Sequence, residues 1–124
     1  MRRSLLRLVV LVGFVLGCGD SGDAATPHID SLAPAMAGTG GTIDILGRHF
    51  CGGMGANDDG SCTETISGFV TFGTAPAVAR ATVASWKDTR IQVVVPVVPE
   101  AGVTTVVVTV DGVQSNAADF EVLP

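Results

Sequence analysis

Short runs in which apolar and polar residues alternate mark the folded part of this chain. Between Gly41 and Gly47, Ile43 and Ile45 alternate with polar neighbours, and this period of two is typical of a β-strand with one buried face. The other runs that predict strands lie at 29–34, 69–73, 90–96, 103–110 and 119–122. The pattern has no helical period after residue 26, so it predicts an all-β domain.

The alternation also predicts which side chains point into the core. The inward set is Ile43, Ile45, Phe50, Ile91, Val93, Val95, Val106, Val108, Val110, Phe120 and Val122. Phe69 and Phe72 also fall at strand positions and are expected in the core. The segment Ala77–Ser85 is weakly patterned, and Val78 and Val83 are its main apolar anchors.

Turn residues separate these runs. Glycines precede the strand that begins at Thr42, Pro34 and Pro96 end two others, and Asp111-Gly112 is a strong two-residue hairpin signal. About seven short strands separated by such turns predict an antiparallel sandwich of two β-sheets. This domain is expected to occupy residues 27–124.

Residues 1–17 have the pattern of a signal peptide. Arg2, Arg3 and Arg7 precede an apolar run of nine residues, 8–16. A helix of that length spans roughly 14 Å, which is too short for a hydrocarbon core of about 30 Å. A basic start, a short apolar run and small residues are typical of secretory signals. We therefore expect an exported protein, in the periplasm or at the cell surface.

The end of this segment, Val15-Leu16-Gly17-Cys18, resembles the lipobox of bacterial lipoproteins, in which the cysteine is acylated and becomes the new N-terminus. The resemblance implies a lipid at Cys18 that anchors the protein to a membrane. Residues 18–26 are small and polar and are expected to form a flexible tether. The alternative is an ordinary cleaved signal that leaves a spare thiol.

Removal of residues 1–17 makes the chain strongly acidic. Three of its seven basic residues are lost and all twelve acidic residues stay, which leaves a net charge of −8. Nucleic acids and anionic lipid surfaces both require basic protein surface. The charge therefore excludes nucleic acid as a partner and leaves the acyl chains as the expected membrane contact.

A glycine-rich insertion runs from Cys51 to Cys62 and has no periodic apolar pattern. In an exported protein its two cysteines are expected to form a disulfide, which would contribute roughly 3 kcal/mol to stability in the chain-entropy model. The alternative is a zinc site with His49, because imidazole and thiolates suit that ion, although the spacing matches no known zinc finger.

Asn57, Asp58 and Asp59 lie within this loop and are candidate binding residues. Their oxygens suit calcium, but adjacent residues lack the alternate spacing of a calcium loop. The other interpretation is a polar turn that ends at Gly60. We predict no metal or other cofactor.

Trp86 is a further candidate binding residue, at a predicted corner beside Lys87 and Asp88. An exposed aromatic face suits a sugar, and packing against the core is the alternative role. The only histidines are His28 and His49, and the chain has no Gly-x-Ser-x-Gly elbow around a nucleophilic serine. The sequence therefore predicts a protein without catalytic residues.

Several segments, in their order along the chain, resemble an IPT/TIG domain. They are Pro27–Pro34, Gly40–Gly47 with Phe50, Val70–Gly73, Ser85–Pro96, Val106–Val110, Gly112, Ser115-Asn116 and Phe120–Val122. The resemblance implies an immunoglobulin-like fold and no catalytic residues. Such modules occur in cell-surface receptors, in some transcription factors and in bacterial carbohydrate-handling proteins. The loop 51–62 is longer than the connection usual in that family.

These observations predict a non-catalytic, lipid-anchored module of the cell envelope that mediates a protein interaction or supports envelope structure. Its partner would be an unidentified envelope protein or glycan. The alternative is a carbohydrate-binding surface module in which Trp86 and neighbouring loops contact the sugar. Burial of the indole distinguishes the two, because a fully buried ring offers no platform for a sugar.

Overall fold

The computed structural model describes residues 26–74 and 76–124, which form two packed β-sheets. Within these residues the strands are β1 His28–Ala33, β2 Met36–Gly38, β3 Thr42–Arg48, β4 Gly68–Phe72, β5 Ala79–Arg80, β6 Thr82–Trp86, β7 Arg90–Val94, β8 Gly102–Val110, β9 Val113–Gln114 and β10 Ala118–Leu123. A single turn of 3-10 helix, Gly52–Met54, lies between β3 and β4. The all-β prediction is confirmed.

The smaller sheet has the strand order β1-β3-β7-β6, and the larger has the order β2-β10-β8-β4-β5 with β9 also paired to β8. Strand β2 runs parallel to β10, with Met36 opposite Glu121. The prediction of a wholly antiparallel sandwich is therefore wrong at this edge. The chain leaves β1 in one sheet, passes Pro34 and joins the opposite sheet in the direction of its last strand.

The sheets contain ten strands within the described residues, where the sequence predicted about seven. Most of the difference comes from β2, β5 and β9, which are two or three residues long. Strands this short complete too little of the two-residue period to be recognised in a pattern of apolar residues.

The core between the sheets contains the predicted inward set, each residue of which is at most 2% exposed. Phe72 is also fully buried and meets Phe120 edge to face, with ring centroids 5.5 Å apart. Because these side chains come from both sheets, their burial supplies the main hydrophobic force that packs one layer on the other.

Phe69, Val78 and Val83 were predicted to be core or anchoring residues, and this prediction is wrong. Phe69 points away from the core and lies under Arg80, whose guanidinium carbon is 4.0 Å from the ring centroid. Its neighbour Val70 points inward, and adjacent residues of a strand face opposite sides. Val78 and Val83 are 47% and 36% exposed, and Ala81 is the buried residue of that segment.

The hairpin predicted at Asp111-Gly112 is confirmed. Both residues have positive φ, 48° and 86°, as a two-residue hairpin turn of type I′ requires. The turn places Val113 opposite Val110 and starts the short strand β9.

Asn116 links the loop after β9 to the first strand. Its Oδ1 accepts a hydrogen bond from the Ile29 amide at 2.7 Å, and its Nδ2 donates to the Ile29 carbonyl at 3.0 Å. The pairing of β1 with β3 shifts register between Ile29 and Ser31, so one side chain satisfies both backbone groups of a residue at an irregular edge. This contact connects the loop between β9 and β10 to the first strand, β1.

We predict that Asn116→Ala destabilises the protein by about 2 kcal/mol, because it leaves the Ile29 amide and carbonyl without these partners. Urea unfolding of the full-length protein measures this change. Gln114→Ala, at an exposed position of β9, is the matched control and should change the unfolding free energy by less than about 0.5 kcal/mol. Equal midpoints for the two variants would contradict the proposed link.

Candidate binding site at one end of the sandwich

The residues singled out in the sequence gather at one end of the sandwich. The strand pairings bring His28 opposite Arg48, where the loop 51–62 begins, and Trp86 opposite Ile91. Gly68, opposite Val110, starts β4 at the same end. The start of β1, the disulfide loop and the end of β6 are therefore neighbours in space.

The disulfide between Cys51 and Cys62 is confirmed, with a Cα–Cα distance of 5.3 Å. Cys51 is fully buried beside Phe50, and Cys62 is partly exposed. The two sulfurs are bonded to each other, so they do not provide the thiolates that the zinc alternative with His49 requires. Across the described residues, no cluster of three His, Cys, Asp or Glu side chains could hold a metal ion.

Asp88 holds both ends of the loop. Its Oδ1 accepts a hydrogen bond from the Cys51 amide at 3.1 Å, and its carbonyl accepts one from the Phe50 amide at 3.0 Å. Its own amide donates to the Gly60 carbonyl at 2.8 Å. One residue of the corner between β6 and β7 thus positions the start and the end of the insertion.

The tip of the loop is a polar turn that closes on Ser61. Asp59 Oδ1 accepts hydrogen bonds from the Ser61 hydroxyl at 2.6 Å and from its amide at 2.9 Å. Asn57 Nδ2 donates to the same hydroxyl at 3.1 Å. Asn57 and Asp59 therefore bond within the loop, and Asp58 is exposed beside them. A binding role for these three residues remains a prediction.

The hydrogen bond from the Ser61 side chain, followed by that from its amide, lowers the pKa of Asp59 below its ordinary value of 3.8. Because the folded pKa lies below that of the unfolded chain, these contacts stabilise the fold above the unfolded pKa. The contribution is lost as the pH falls through the folded pKa.

We predict that Ser61→Ala raises the pKa of Asp59 towards 3.8, because the largest cause of the shift is removed. An NMR titration of the Asp59 carboxyl carbon measures the pKa in both proteins. Ser85→Ala, an exposed serine in β6, should leave the titration as it is in the parent. An unchanged Asp59 curve in Ser61→Ala would show that this hydrogen bond is absent in solution.

Trp86 joins the loop to both sheets. Its Nε1 donates a hydrogen bond to the Phe50 carbonyl at 2.7 Å, and the far edge of its ring lies against Gly68 of the opposite sheet. A Cβ at Gly68 would come within 2.7 Å of ring atoms Cζ2 and Cη2. The indole is partly buried and packs against the core, but part of its surface stays open to solvent.

An open groove of about 330 Å³ lies beside the indole. Apolar and polar side chains share its lining, which consists of Cys62, Glu64, Thr65, Ile66, Gly68, Val83 and Trp86. Sequence reasoning found the cysteine and the tryptophan but missed Glu64, Thr65 and Ile66. Pairing of Cys51 with Cys62 was the only available signal that the segment after Cys62 returns to this end of the fold.

The two histidines do not form a catalytic arrangement with an acid in a cavity. His28 Nε2 lies 3.4 Å from Asp30, whose carboxylate is also 3.6 Å from Arg48, and all three side chains are more than 40% exposed. His49 lies in a turn with φ 61°. Neither histidine lines the groove or the second cavity, of about 230 Å³, near Thr74 and Glu100.

Cys18 and the predicted signal peptide, residues 1–17, lie outside the described residues. Within the two described ranges, no helix has the length and apolar character needed to cross a membrane.

The model of the IPT/TIG domain family matches residues 27–122. The chain belongs to the IPT/TIG family. This confirms the family that the sequence resembles, and the two packed sheets agree with its immunoglobulin-like fold.

The chain is also similar to part of several much larger enzymes. It is 41% identical over 102 residues to a cyclomaltodextrin glucanotransferase of Bacillus sp. (strain 1011), and 40% identical over 100 residues to one of Niallia circulans. These alignments cover 82% and 80% of this chain but only 12% of each enzyme. The crystal structure of a gamma-type enzyme of this kind from alkalophilic Bacillus clarkii aligns with a TM-score of 0.61 and 28% identity, over 80% of this chain and 12% of that chain.

We predict that Gly68→Ala displaces the indole and destabilises the protein by about 1–3 kcal/mol, because the added methyl group overlaps the ring. Trp86 is the only tryptophan, so the fluorescence of the full-length protein reports on it directly. Quenching by acrylamide should increase in the variant.

The matched control is Gly38→Ala, because the nearest atom to a Cβ there is 3.8 Å away and the backbone suits alanine. It should leave both stability and quenching close to those of the parent. Identical behaviour of the two variants would show that the indole does not rest on Gly68.

Proposed function

We propose that this protein is a non-catalytic binding module of the cell envelope, exported by residues 1–17 and anchored through an acylated Cys18. Its IPT/TIG domain contacts a macromolecule outside the cytoplasm. The observation that carries the non-catalytic part is the extent of the similarity to enzymes. The alignments cover 12% of those chains, which is the extent of one module and gives no reason to transfer their activity.

Two features of the chain support export, namely the N-terminal segment and the disulfide. The basic residues and the short apolar run precede Cys18 in the order that secretory signals require. Cys51 and Cys62 form a disulfide. Disulfides persist in oxidising compartments and are rare in the cytosol, so this bond favours an exported protein.

The disulfide loop is the proposed contact surface. Residues 55–59 at its tip are exposed, and the bonds from Asp88 and the disulfide hold the loop on a rigid sandwich. Binding residues are disproportionately found on loops that a scaffold positions in this way. The acidic side chains Asp58 and Asp59 would favour a partner with basic or hydrogen-bond-donating groups.

A second candidate function is carbohydrate binding. The relatives are enzymes named for transferring glucans, and the indole of Trp86 is not fully buried. Part of its ring can therefore still contact a sugar, as the sequence-based alternative requires. The open groove beside it, lined by both apolar and polar side chains, favours this candidate further.

Anchoring is tested with the full-length protein and its Cys18→Ser variant in a bacterial host. The parent should fractionate with membranes, and intact mass should show diacylglycerol on Cys18 as the first residue. The variant should lose the lipid and leave the membrane fraction. A parent protein with an unmodified Cys18 thiol would overturn the anchor.

The contact surface is tested in the same anchored protein with a photo-crosslinking residue at position 58 or, as a control on the outer face of the larger sheet, at position 121. We expect products with an envelope component from position 58 and none from position 121. Products from position 121 alone would show that the loop is not the contact surface.

A further inference from the structure

We infer that the groove beside Trp86 binds an α-glucan chain of the maltodextrin class. This inference rests on the carbohydrate-binding form of the proposed function and assigns it a place. The choice of an α-glucan follows the cyclomaltodextrin glucanotransferases to which the chain is similar. The ligand would lie between the end of β6 and the segment 62–66, which begins at Cys62 of the disulfide.

The groove has the size and the mixed lining of a small-ligand site. Its volume of about 330 Å³ is at the lower end of the roughly 300–1,000 Å³ typical of such sites. Trp86, Ile66 and Val83 form apolar walls. Glu64 and Thr65 add an exposed carboxylate and a hydroxyl on the side of the segment 62–66.

This lining matches the chemistry of a pyranose ring, which has an apolar C–H face and a rim of hydroxyl groups. The C–H face would stack on the open part of the indole, since aromatic rings present large apolar contact area. The Glu64 carboxylate can accept hydrogen bonds from two hydroxyls, and hydrogen bonds to a charged group are stronger than those between neutral groups.

The indole is held in place before any ligand arrives. Its only N–H donor is already used by the Phe50 carbonyl at 2.7 Å, so a sugar would meet the ring's carbon surface and not its donor. The ring edge against Gly68 also restricts its rotation. A fixed platform lowers the entropic cost of binding, which favours weak ligands such as neutral sugars.

A peptide strand added to the edge of β6 is the competing occupant, and the geometry disfavours it. The pairing of β6 with β7 shifts register between Val83 and Ser85. Such a bulge twists the edge and interrupts the regular row of backbone donors and acceptors that an added strand requires. The side chains from Thr82 to Ser85 are exposed, but the backbone beside them is not a regular template.

The disulfide places the polar wall. Cys62 lines the groove itself and is followed two residues later by Glu64. The bond to the buried Cys51 therefore fixes the chain just before the residues that would contact the sugar hydroxyls. The long loop and the groove are therefore connected through Cys62, which closes the loop and lines the groove.

The test uses the full-length protein in detergent, with maltoheptaose as the probe and cellohexaose as the control glycan. Titration calorimetry measures binding, and the fluorescence of the single tryptophan reports on the groove. We expect maltoheptaose to bind, to shift the Trp86 emission and to reduce acrylamide quenching at least twofold. Cellohexaose, whose β-linked chain is straight, should bind at least tenfold more weakly.

Two variants change the groove without replacing Trp86 or the residues shown to hold it, Phe50 and Gly68. Glu64→Gln keeps the shape of the side chain and should weaken binding about tenfold, because a charged hydrogen-bond acceptor becomes neutral. Val83→Arg puts a long side chain at a groove position that is 36% exposed and should abolish binding. Glu121→Gln, on the outer face of the larger sheet, is the matched control and should bind like the parent.

The outcomes separate this inference from the proposed function. Maltoheptaose could bind without changing Trp86 fluorescence and with the same affinity for the parent, Glu64→Gln and Val83→Arg. That result would show that the groove is not the binding site, while supporting a glucan-binding module. No binding of maltoheptaose by the parent would overturn both the groove and the carbohydrate candidate, and would leave the anchored contact module standing. A β-strand peptide that displaces bound maltoheptaose and binds more tightly would identify the groove as a peptide site and overturn the glucan assignment.

Discussion

Burial of Phe50 is the contact on which the site depends. Its ring is fully buried and lies so close to Gly47 that a side chain there would overlap it. The ring therefore fixes the backbone of Phe50, whose carbonyl accepts the Trp86 indole and whose amide donates to Asp88. The next residue is Cys51 of the disulfide. Through this one residue the core contacts both the tryptophan and the start of the loop, and Gly68, Asp88 and the disulfide add further support.

This arrangement explains why a loop rich in glycine can present a defined surface. Four of the twelve residues from Cys51 to Cys62 are glycine and most of the others are small or polar, so the loop has little apolar area of its own to bury. Its order comes instead from the disulfide, the two-sided contacts of Asp88 and the Ser61 bonds to Asp59. The contacts of Asp88 and the bond from the Ser61 amide to Asp59 satisfy backbone groups that a free loop would leave to water, and the disulfide closes the loop covalently.

Much of the fold could be predicted because period-two alternation reports directly on a buried face, as at Ile43 and Ile45 or Val106 and Val108. Phe69 shows the limit: its apolar character predicted burial, but its neighbour Val70 holds the inward position. The groove was not predictable in this way. Its walls come from 62–68 and 83–86, which no local pattern relates, and only the packing of the two sheets brings them together.

The position of the site relative to the proposed anchor limits what it can reach. Eight residues, 19–26, separate Cys18 from the domain that starts at Pro27, and a fully extended chain from Cys18 to Pro27 spans about 30 Å. Because β1 begins beside Arg48, the tether enters the domain at the end that carries the loop and Trp86. An acylated Cys18 would therefore hold this end towards the membrane. The acidic loop would be repelled by anionic headgroups, so the space next to it would remain open for a glucan or another envelope component.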